Sequence, residues 1–342
     1  MTTPSTSYRA PRWLRLPRWL GAAAIGHWQT IAPAVITKRW RRPTLTLRRE
    51  RWDSAPGGTP DGDFIDVDRL DGSSPGVPLV VMFHGLECSS ASHYAAALLE
   101  ALRSRGWAGA IPHFRGCSGE PNRSVRAYHS GDSAEIDWIL RRLAAEHPDR
   151  TLYAAGFSLG GNALAKWLGE QGEAARFVKG AAVVSAPLDL AAGGNAISSG
   201  FSMIYTRMFL VSLKAKLHQK AAAHPELADL RDRLGDIDRV RDLREYDNLY
   251  TAPVHGFRDT DDYWARASAK PWLGGIRVPT LVLNARNDPF LPVAALPGPD
   301  QVSSDVTLEQ PEHGGHVGFG TGPFPGRLDW LPQRLLAFFD TL

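Results

Sequence analysis

Gly156-Phe-Ser-Leu-Gly160 is a G-x-S-x-G pentapeptide. A serine hydroxyl is a weak nucleophile until a neighbouring base takes its proton. The pentapeptide follows an apolar run, Thr151–Phe157, and opens a helix-like stretch, Leu159–Gly169. Ser158 therefore stands at a sharp strand-to-helix turn, and the flanking glycines let the chain turn there without a Cβ clash. The helix N-terminus adds positive potential beside the hydroxyl. An orienting acid is offered by Asp288 in Asn284-Ala-Arg-Asn-Asp-Pro289, just after the strand-like Thr280–Leu283. A base is offered by His316 in Glu312-His-Gly-Gly-His-Val-Gly318, whose glycines let the imidazole reach across. The roles would be Ser158 as nucleophile, His316 as general base and then acid, and Asp288 fixing the imidazole tautomer. The backbone N–H groups of Leu159 and Leu86 are placed to hold the oxyanion. That is machinery for acyl transfer. His313 competes with His316, and the H-x-x-H pair also has metal-ligand spacing. No Cys or carboxylate set of fitting spacing joins them. His313 is read as a solvated loop residue, and neither a metal nor a cofactor is expected.

These residues need a scaffold. Leu79-Val-Val-Met-Phe83 is a short continuous apolar run ending in His84-Gly85, as expected of a strand buried on both faces. Trp107–Phe114, Thr151–Phe157, Gly180–Ser185, Thr280–Leu283 and Val306–Glu309 read as further strands. Ser92–Arg105, Ser130–His147, Leu159–Gly169 and Leu328–Phe339 read as helices between or after them. Thr44–Arg49 and Phe64–Arg69 alternate apolar and polar residues like half-solvated strands. Strand–helix alternation predicts an α/β fold with a mainly parallel sheet flanked by helices. Residues 190–275 break the rhythm with helical stretches, Phe201–Lys220 and Pro225–Leu243, and read as a helical cap insertion. The division expected is a basic, Trp-rich arm (1–50), a core (51–189 and 276–342) and the cap (190–275). Phe201, Met203 and Met208 are unusually apolar for such an insert and are expected to line an acyl site.

The 342 residues are 43% hydrophobic and 22% charged, enough for a sizeable core. Two cysteines cannot make a disulfide framework, so a reducing, cytoplasmic setting is expected. Cys88 and Cys117 read as small loop residues. The net charge of +3 is unevenly spread. Residues 1–50 hold ten Lys/Arg against one Glu, whereas the remainder is net acidic. A uniformly basic nucleic-acid binder is thereby disfavoured. Trp13, Trp19, Trp28 and Trp40 also sit in the arm. The uncharged stretch 19–37 contains His27, Gln29 and Pro33, which argue against a membrane span. The arm is read as lying along the protein surface, with peripheral contact to anionic lipid as the alternative.

His27-Trp-Gln-Thr30, His84-Gly-Leu-Glu87, Phe114-Arg-Gly-Cys-Ser-Gly119 and Tyr128-His-Ser-Gly131 stand out together with the serine pentapeptide extended to Asn162. So do Tyr250-Thr-Ala-Pro-Val-His-Gly-Phe257, Asn287-Asp-Pro-Phe290 and Gly314-Gly-His-Val-Gly-Phe319. With these strings the chain, from about Arg18 onward, resembles the type 4 family of the α/β-hydrolase superfamily, the YheT-like hydrolases. The resemblance implies the α/β-hydrolase fold. It also implies Ser158, Asp288 and His316 as the charge-relay triad, and a carboxylic-ester hydrolase acting on small-molecule or lipid esters. Cys88 where relatives often have Gly, and His113 where Asn is usual, are departures beside the mouth of the site. They bear on substrate preference. A thioesterase or amidase on the same triad, or an idle lipid-binding homologue, are the competing readings. Acyl length, head group and oligomeric state are not legible.

Overall fold

In a computed structural model of the chain, describing residues 7–38, 45–224 and 234–342, eight strands form one sheet in the order β1-β2-β4-β3-β5-β6-β7-β8. The strands are β1 Arg48–Asp53, β2 Phe64–Leu70, β3 Leu79–Phe83, β4 Ala108–Pro112, β5 Leu152–Phe157, β6 Gly180–Val184, β7 Thr280–Leu283 and β8 Val306–Glu309. From β4 to β8 every pairing is parallel; β1 and β2 are antiparallel additions at one edge. The helices used below are α1 Gly21–Ala32, α2 His93–Arg105, α3 Ser133–Glu146, α4 Leu159–Gln171, α5 Leu190–Ile197, α6 Met203–Ala223, α7 Thr260–Ala267 and α8 Trp330–Phe339.

The sheet is covered on both faces, as its continuous apolar strands require. Val81 and Phe83 of β3 point into a layer with Ile136, Ile139 and Leu140 of α3 and Leu164 and Trp167 of α4. Val80 and Met82 point the other way, toward Leu98, Leu99 and Leu102 of α2 and Leu335 and Phe339 of α8. Tyr8, Leu14 and Ala32 of the arm belong to this second layer. The arm is thus packed into the molecule, and Tyr8 Oη donates to Gly320 O at 2.7 Å.

The edge strands differ from expectation. β1 begins at Arg48; Thr44, where a strand was expected to start, lies outside the described residues. Its sequence, Arg-Arg-Glu-Arg-Trp-Asp, has no apolar rhythm because ion pairs replace it. Arg49 faces Asp68 and Arg51 faces Asp66 in the register. Both arginines are bidentate, with bonds of 2.7 to 3.0 Å. These guanidinium groups cover the polar face of β2, so Asp66 and Asp68 are buried rather than solvated. Between β6 and β7 the described residues form helices and no strand. The first part of the expected Pro225–Leu243 helix lies outside the described residues, as does Trp40. The part that is described forms two short helices, Leu234–Arg239 and Leu243–Tyr246.

Candidate active site

β5 delivers Ser158 to the carboxyl edge of the sheet. Its backbone has φ 52° and ψ −121°, a conformation costly for a residue with a Cβ. Neighbours hold the turn in place. Ser158 N–H donates to Val184 O at 2.9 Å and Gly160 N–H to His84 O at 3.1 Å. The glycines are there because backbone crowds the turn: a Cβ on Gly156 would lie 2.5 Å from Gly160 O, and one on Gly160 2.5 Å from His84 O. Asn162, fully buried, donates to Ser130 O and Ala267 O at 2.8 Å and accepts from Ala269 N–H. It ties α4 to the end of α7.

His316 and Asp288 arrive on the loops after β8 and β7. His316 Nε2 lies 2.9 Å from Ser158 Oγ, and His316 Nδ1 lies 2.8 Å from Asp288 Oδ2. The Asp288 side chain is fully buried. Its Oδ1 accepts from Phe290 N–H at 2.8 Å, and the Phe290 ring packs 4.1 Å from the imidazole. His316 lines the cavity described below; His313 does not. The three residues singled out by type and spacing are brought together.

The loop after β3 carries Leu86. Two tyrosines grip the amides on either side of it. Tyr94 Oη accepts from Gly85 N–H at 2.9 Å, and Tyr128 Oη accepts from Glu87 N–H at 3.0 Å. Tyr128 Oη in turn donates to Glu87 Oε1 at 2.8 Å. The Glu87 carboxylate also receives Lys216 Nζ at 2.8 Å and the Ser212 hydroxyl, both from α6. His84 lies beneath. Burial pushes its pKa down to about 3, so the ring is neutral. Nδ1–H then donates to Gly85 O at 2.8 Å while Nε2 accepts from Phe114 N–H at 3.1 Å. Leu86 and Leu159 both border the cavity beside Ser158.

That cavity, about 150 Å³, runs from Ser158 and His316 up under α6. Phe209, Leu213 and Leu217 form its α6 wall, with Ile197, Tyr250 and Trp264 opposite. The polar groups on its rim are held by the protein. Lys220, its pKa lowered to about 8 by burial, donates to Ser124 O and Arg126 O. Asp247, raised to about 6 by burial, accepts from Trp264 Nε1. Phe201, Met203 and Met208 do not line the cavity, contrary to expectation. The reason is helical phase. Leu210, Leu213 and Leu217 occupy the inward stripe of α6, which leaves Met208 exposed on the outer one, while Phe201 lies exposed in the 3-10 turn Gly200–Ser202 that precedes the helix. Cys88 and Cys117 are free, half-buried thiols, and burial lifts Cys117 to about 12. Among the described residues no group of three or more His, Cys, Asp or Glu is placed to hold a metal ion.

Sequence reasoning missed the tyrosines and Glu87 as supports. It also missed Gln29, Thr30 and Asn287, which contact the His316 loop. Their only signal was membership in the strings His27-Trp-Gln-Thr30 and Asn287-Asp-Pro-Phe290.

A family model for the α/β hydrolase fold matches residues 78–323. The Escherichia coli (strain K12) protein YheT, assigned by name to the esterases, is 40% identical over 317 residues, covering 92% of this chain and 90% of YheT. Human phospholipase ABHD3 is 24% identical over 322 residues, covering 93% of this chain and 76% of that one. Among solved structures, an esterase of Pyrococcus furiosus superposes with a TM-score of 0.56 at 17% identity. The match covers 87% of this chain and 91% of that one.

Proposed function

The chain belongs to the α/β-hydrolase fold family, in its YheT-like branch, and on that premise we propose that it is a serine hydrolase cleaving carboxylic esters of acyl or lipid-like substrates. The observation that carries the reading is the relay Ser158–His316–Asp288, with links of 2.9 and 2.8 Å, at the floor of an apolar cavity. The names of its relatives, an esterase and a phospholipase, point to the same chemistry.

With the proton on Nδ1, His316 donates to Asp288 and its Nε2 accepts from Ser158 Oγ–H. Ser158 attacks the ester carbonyl as Nε2 takes its proton. The carbonyl oxygen gains charge and is met by the Leu86 and Leu159 N–H groups. The tetrahedral species collapses, His316 returns the proton to the leaving alkoxide, and an acyl-Ser158 remains. Water, deprotonated by His316, then releases the acid. Thioesters and amides would pass through the same steps, so relative kcat/KM on matched leaving groups ranks these substrates. A fluorophosphonate probe should label wild-type protein and leave Ser158→Ala unlabelled. An unlabelled wild type that hydrolyses no ester would leave the lipid-binding alternative.

The reading extends to where the substrate is met. Ile204, Met208 and Val211 form an exposed stripe along α6, continued by Phe201 in the turn before it, and Met208 and Val211 are 67% and 73% exposed. The His27 ring lies 4.6 Å from Phe201, which joins this stripe to the arm. On the arm Trp19 is 82% exposed, and Arg9, Arg12 and Arg15 are exposed. Apolar ridges flanked by cations suit the surface of anionic lipid. Among the described residues no single helix is long and apolar enough to cross a membrane. One bent pair, Leu190–Ile197 with Gly200–Ala223, meets the criteria jointly.

A further inference from the structure

The matched α/β-hydrolase region begins at residue 78, yet the arm reaches the loop that carries His316. Helix α1 lies across the two loops bearing Asp288 and His316, and three consecutive amides of the His316 loop depend on this contact. Gly314 N–H donates to Gln29 Oε1 at 2.9 Å. Gly315 N–H donates to Asn287 Oδ1 at 3.1 Å, and Asn287 Nδ2 donates to the same Gln29 oxygen at 2.9 Å. His316 N–H donates to Thr30 Oγ1 at 2.9 Å, while Thr30 Oγ1–H donates to Gly26 O at 2.8 Å. Gln29 is itself fixed, because Nε2 donates to Leu14 O at 3.0 Å and the side chain is wholly buried.

The approach leaves no slack. A Cβ on Gly26 would lie 2.0 Å from Asn287 O, and one on Gly318 would lie 1.9 Å from Gln29 O. The helix and the loops meet backbone to backbone. A buried amide whose acceptor is removed costs more than the bond itself was worth, so the loop must shift to find another partner. A displacement of about 1 Å in a reacting group can cost roughly a hundredfold in rate.

We propose that Gln29 and Thr30 are positioning residues of the active site: α1 sets the register of residues 314–316, so that the imidazole spans Ser158 and Asp288. The inference rests on the serine-hydrolase reading. It makes the arm a working part of the site and not merely a surface layer.

The test compares purified full-length variants by ester kinetics, fluorophosphonate labelling rate and melting temperature. Wild type and Ser158→Ala come first: a wild type that neither labels nor hydrolyses sinks the hydrolase reading and this proposal together. With an active wild type, Thr30→Val removes the acceptor for His316 N–H, and with it the hydroxyl's bond to Gly26 O within α1. It should lower kcat and the labelling rate about 10- to 100-fold, with KM within about twofold. Thr30→Ser restores the acceptor and should recover to within about threefold of wild type. Tyr8→Phe is the control, since it removes an arm bond to Gly320 O away from the His316 amides. It should lower the melting temperature and spare kcat. If Thr30→Val does not fold, Asn287→Ala removes the Gly315 acceptor from the loop side and should show the same kcat loss. Wild-type labelling by Thr30→Val, or by Asn287→Ala in its place, overturns the proposal while leaving the hydrolase reading intact. So does a kcat loss in Tyr8→Phe as large as that in the variant it controls for.

Discussion

The cavity above Ser158 makes a quantitative statement about acyl length. Its volume is about 150 Å³ and its α6 wall is Phe209, Leu213 and Leu217. A dry apolar cavity of about that volume accommodates benzene, six carbons. Each methylene moved from water into such a space gains about 0.8 kcal/mol, or roughly fourfold in kcat/KM where the contact persists in the transition state. From acetyl to hexanoyl, four methylenes should therefore raise kcat/KM roughly 200-fold. Octanoyl should add less than about twofold, since the extra carbons have no wall to meet. Leu213→Trp places a larger side chain into this space. Overpacking costs stability of about 1 to 3 kcal/mol but leaves the relay untouched. The variant should keep acetyl ester turnover within about threefold and move the optimum to butyryl or shorter. The assay is steady-state hydrolysis of p-nitrophenyl esters from acetyl to octanoyl, below their micelle concentrations. A flat wild-type profile, or an unchanged profile in Leu213→Trp, would show that the acyl chain lies elsewhere.

His316→Ala should cost roughly 10⁶ in kcat, as should Ser158→Ala, and Asp288→Asn about 10⁴, whereas His313→Ala should stay within about threefold. A comparable loss in His313→Ala, read from the same ester assay, would reassign the base. Tyr128→Phe strips the acceptor from Glu87 N–H and loosens the loop carrying Leu86; kcat should fall about tenfold with KM unchanged, and an unaltered kcat would remove Tyr128 from the oxyanion support. Burial alone would raise the pKa of Asp63, but donors from Asn122, Ser124, Phe64 and Arg123 bring it down to about 2. Its folded value lies below its unfolded one, so its contribution, about 2 kcal/mol, is fully present above about pH 4 and lost as pH falls toward 2. Urea melts should show wild type losing stability over that window and Asp63→Asn losing less; parallel curves would contradict the account. Vesicle flotation should capture the protein on anionic but not neutral lipid, and Met208→Asp with Val211→Asp should abolish capture. Equal capture by both lipids, or by the double variant, would leave the ridge without that role.

Central strands announce themselves because both their faces meet apolar layers. Leu79–Phe83 and Gly180–Val184 are legible as buried strands for that reason. β1 is not, since Arg49 and Arg51 earn their places by pairing with Asp68 and Asp66 on a strand that lies fifteen or more residues away in sequence. The α6 stretch shows a different limit. It is apolar on both sides, so composition marks Phe201 and Met208 as readily as Phe209 and Leu213. Only the packing of Leu210, Leu213 and Leu217 on the neighbouring helices sets the phase of the helix, and with it which side chains face the cavity.

The candidate site divides along the same line. Ser158, Asp288 and His316 are legible because each needs a particular chemical type at the end of a strand, and each lies in a string whose glycines or turn residues show. The residues that hold them are ordinary in type. Gln29 and Gly314 are 285 positions apart, and nothing in a glutamine on an alanine-rich helix signals that its carbonyl oxygen will serve two donors, one from each of two distant loops. Tyr94 and Tyr128 are likewise buried aromatics, yet their hydroxyls fix the amides on either side of Leu86. A strained serine and a glycine-rich histidine loop have little rigidity of their own. Their geometry is borrowed from neighbours whose own sequence signal is that of packing. Substitutions at those neighbours should therefore divide kinetically, lowering kcat while leaving KM and the fold largely in place, and a variant series that moved stability and kcat strictly together would argue that the support is not specific to the reacting groups.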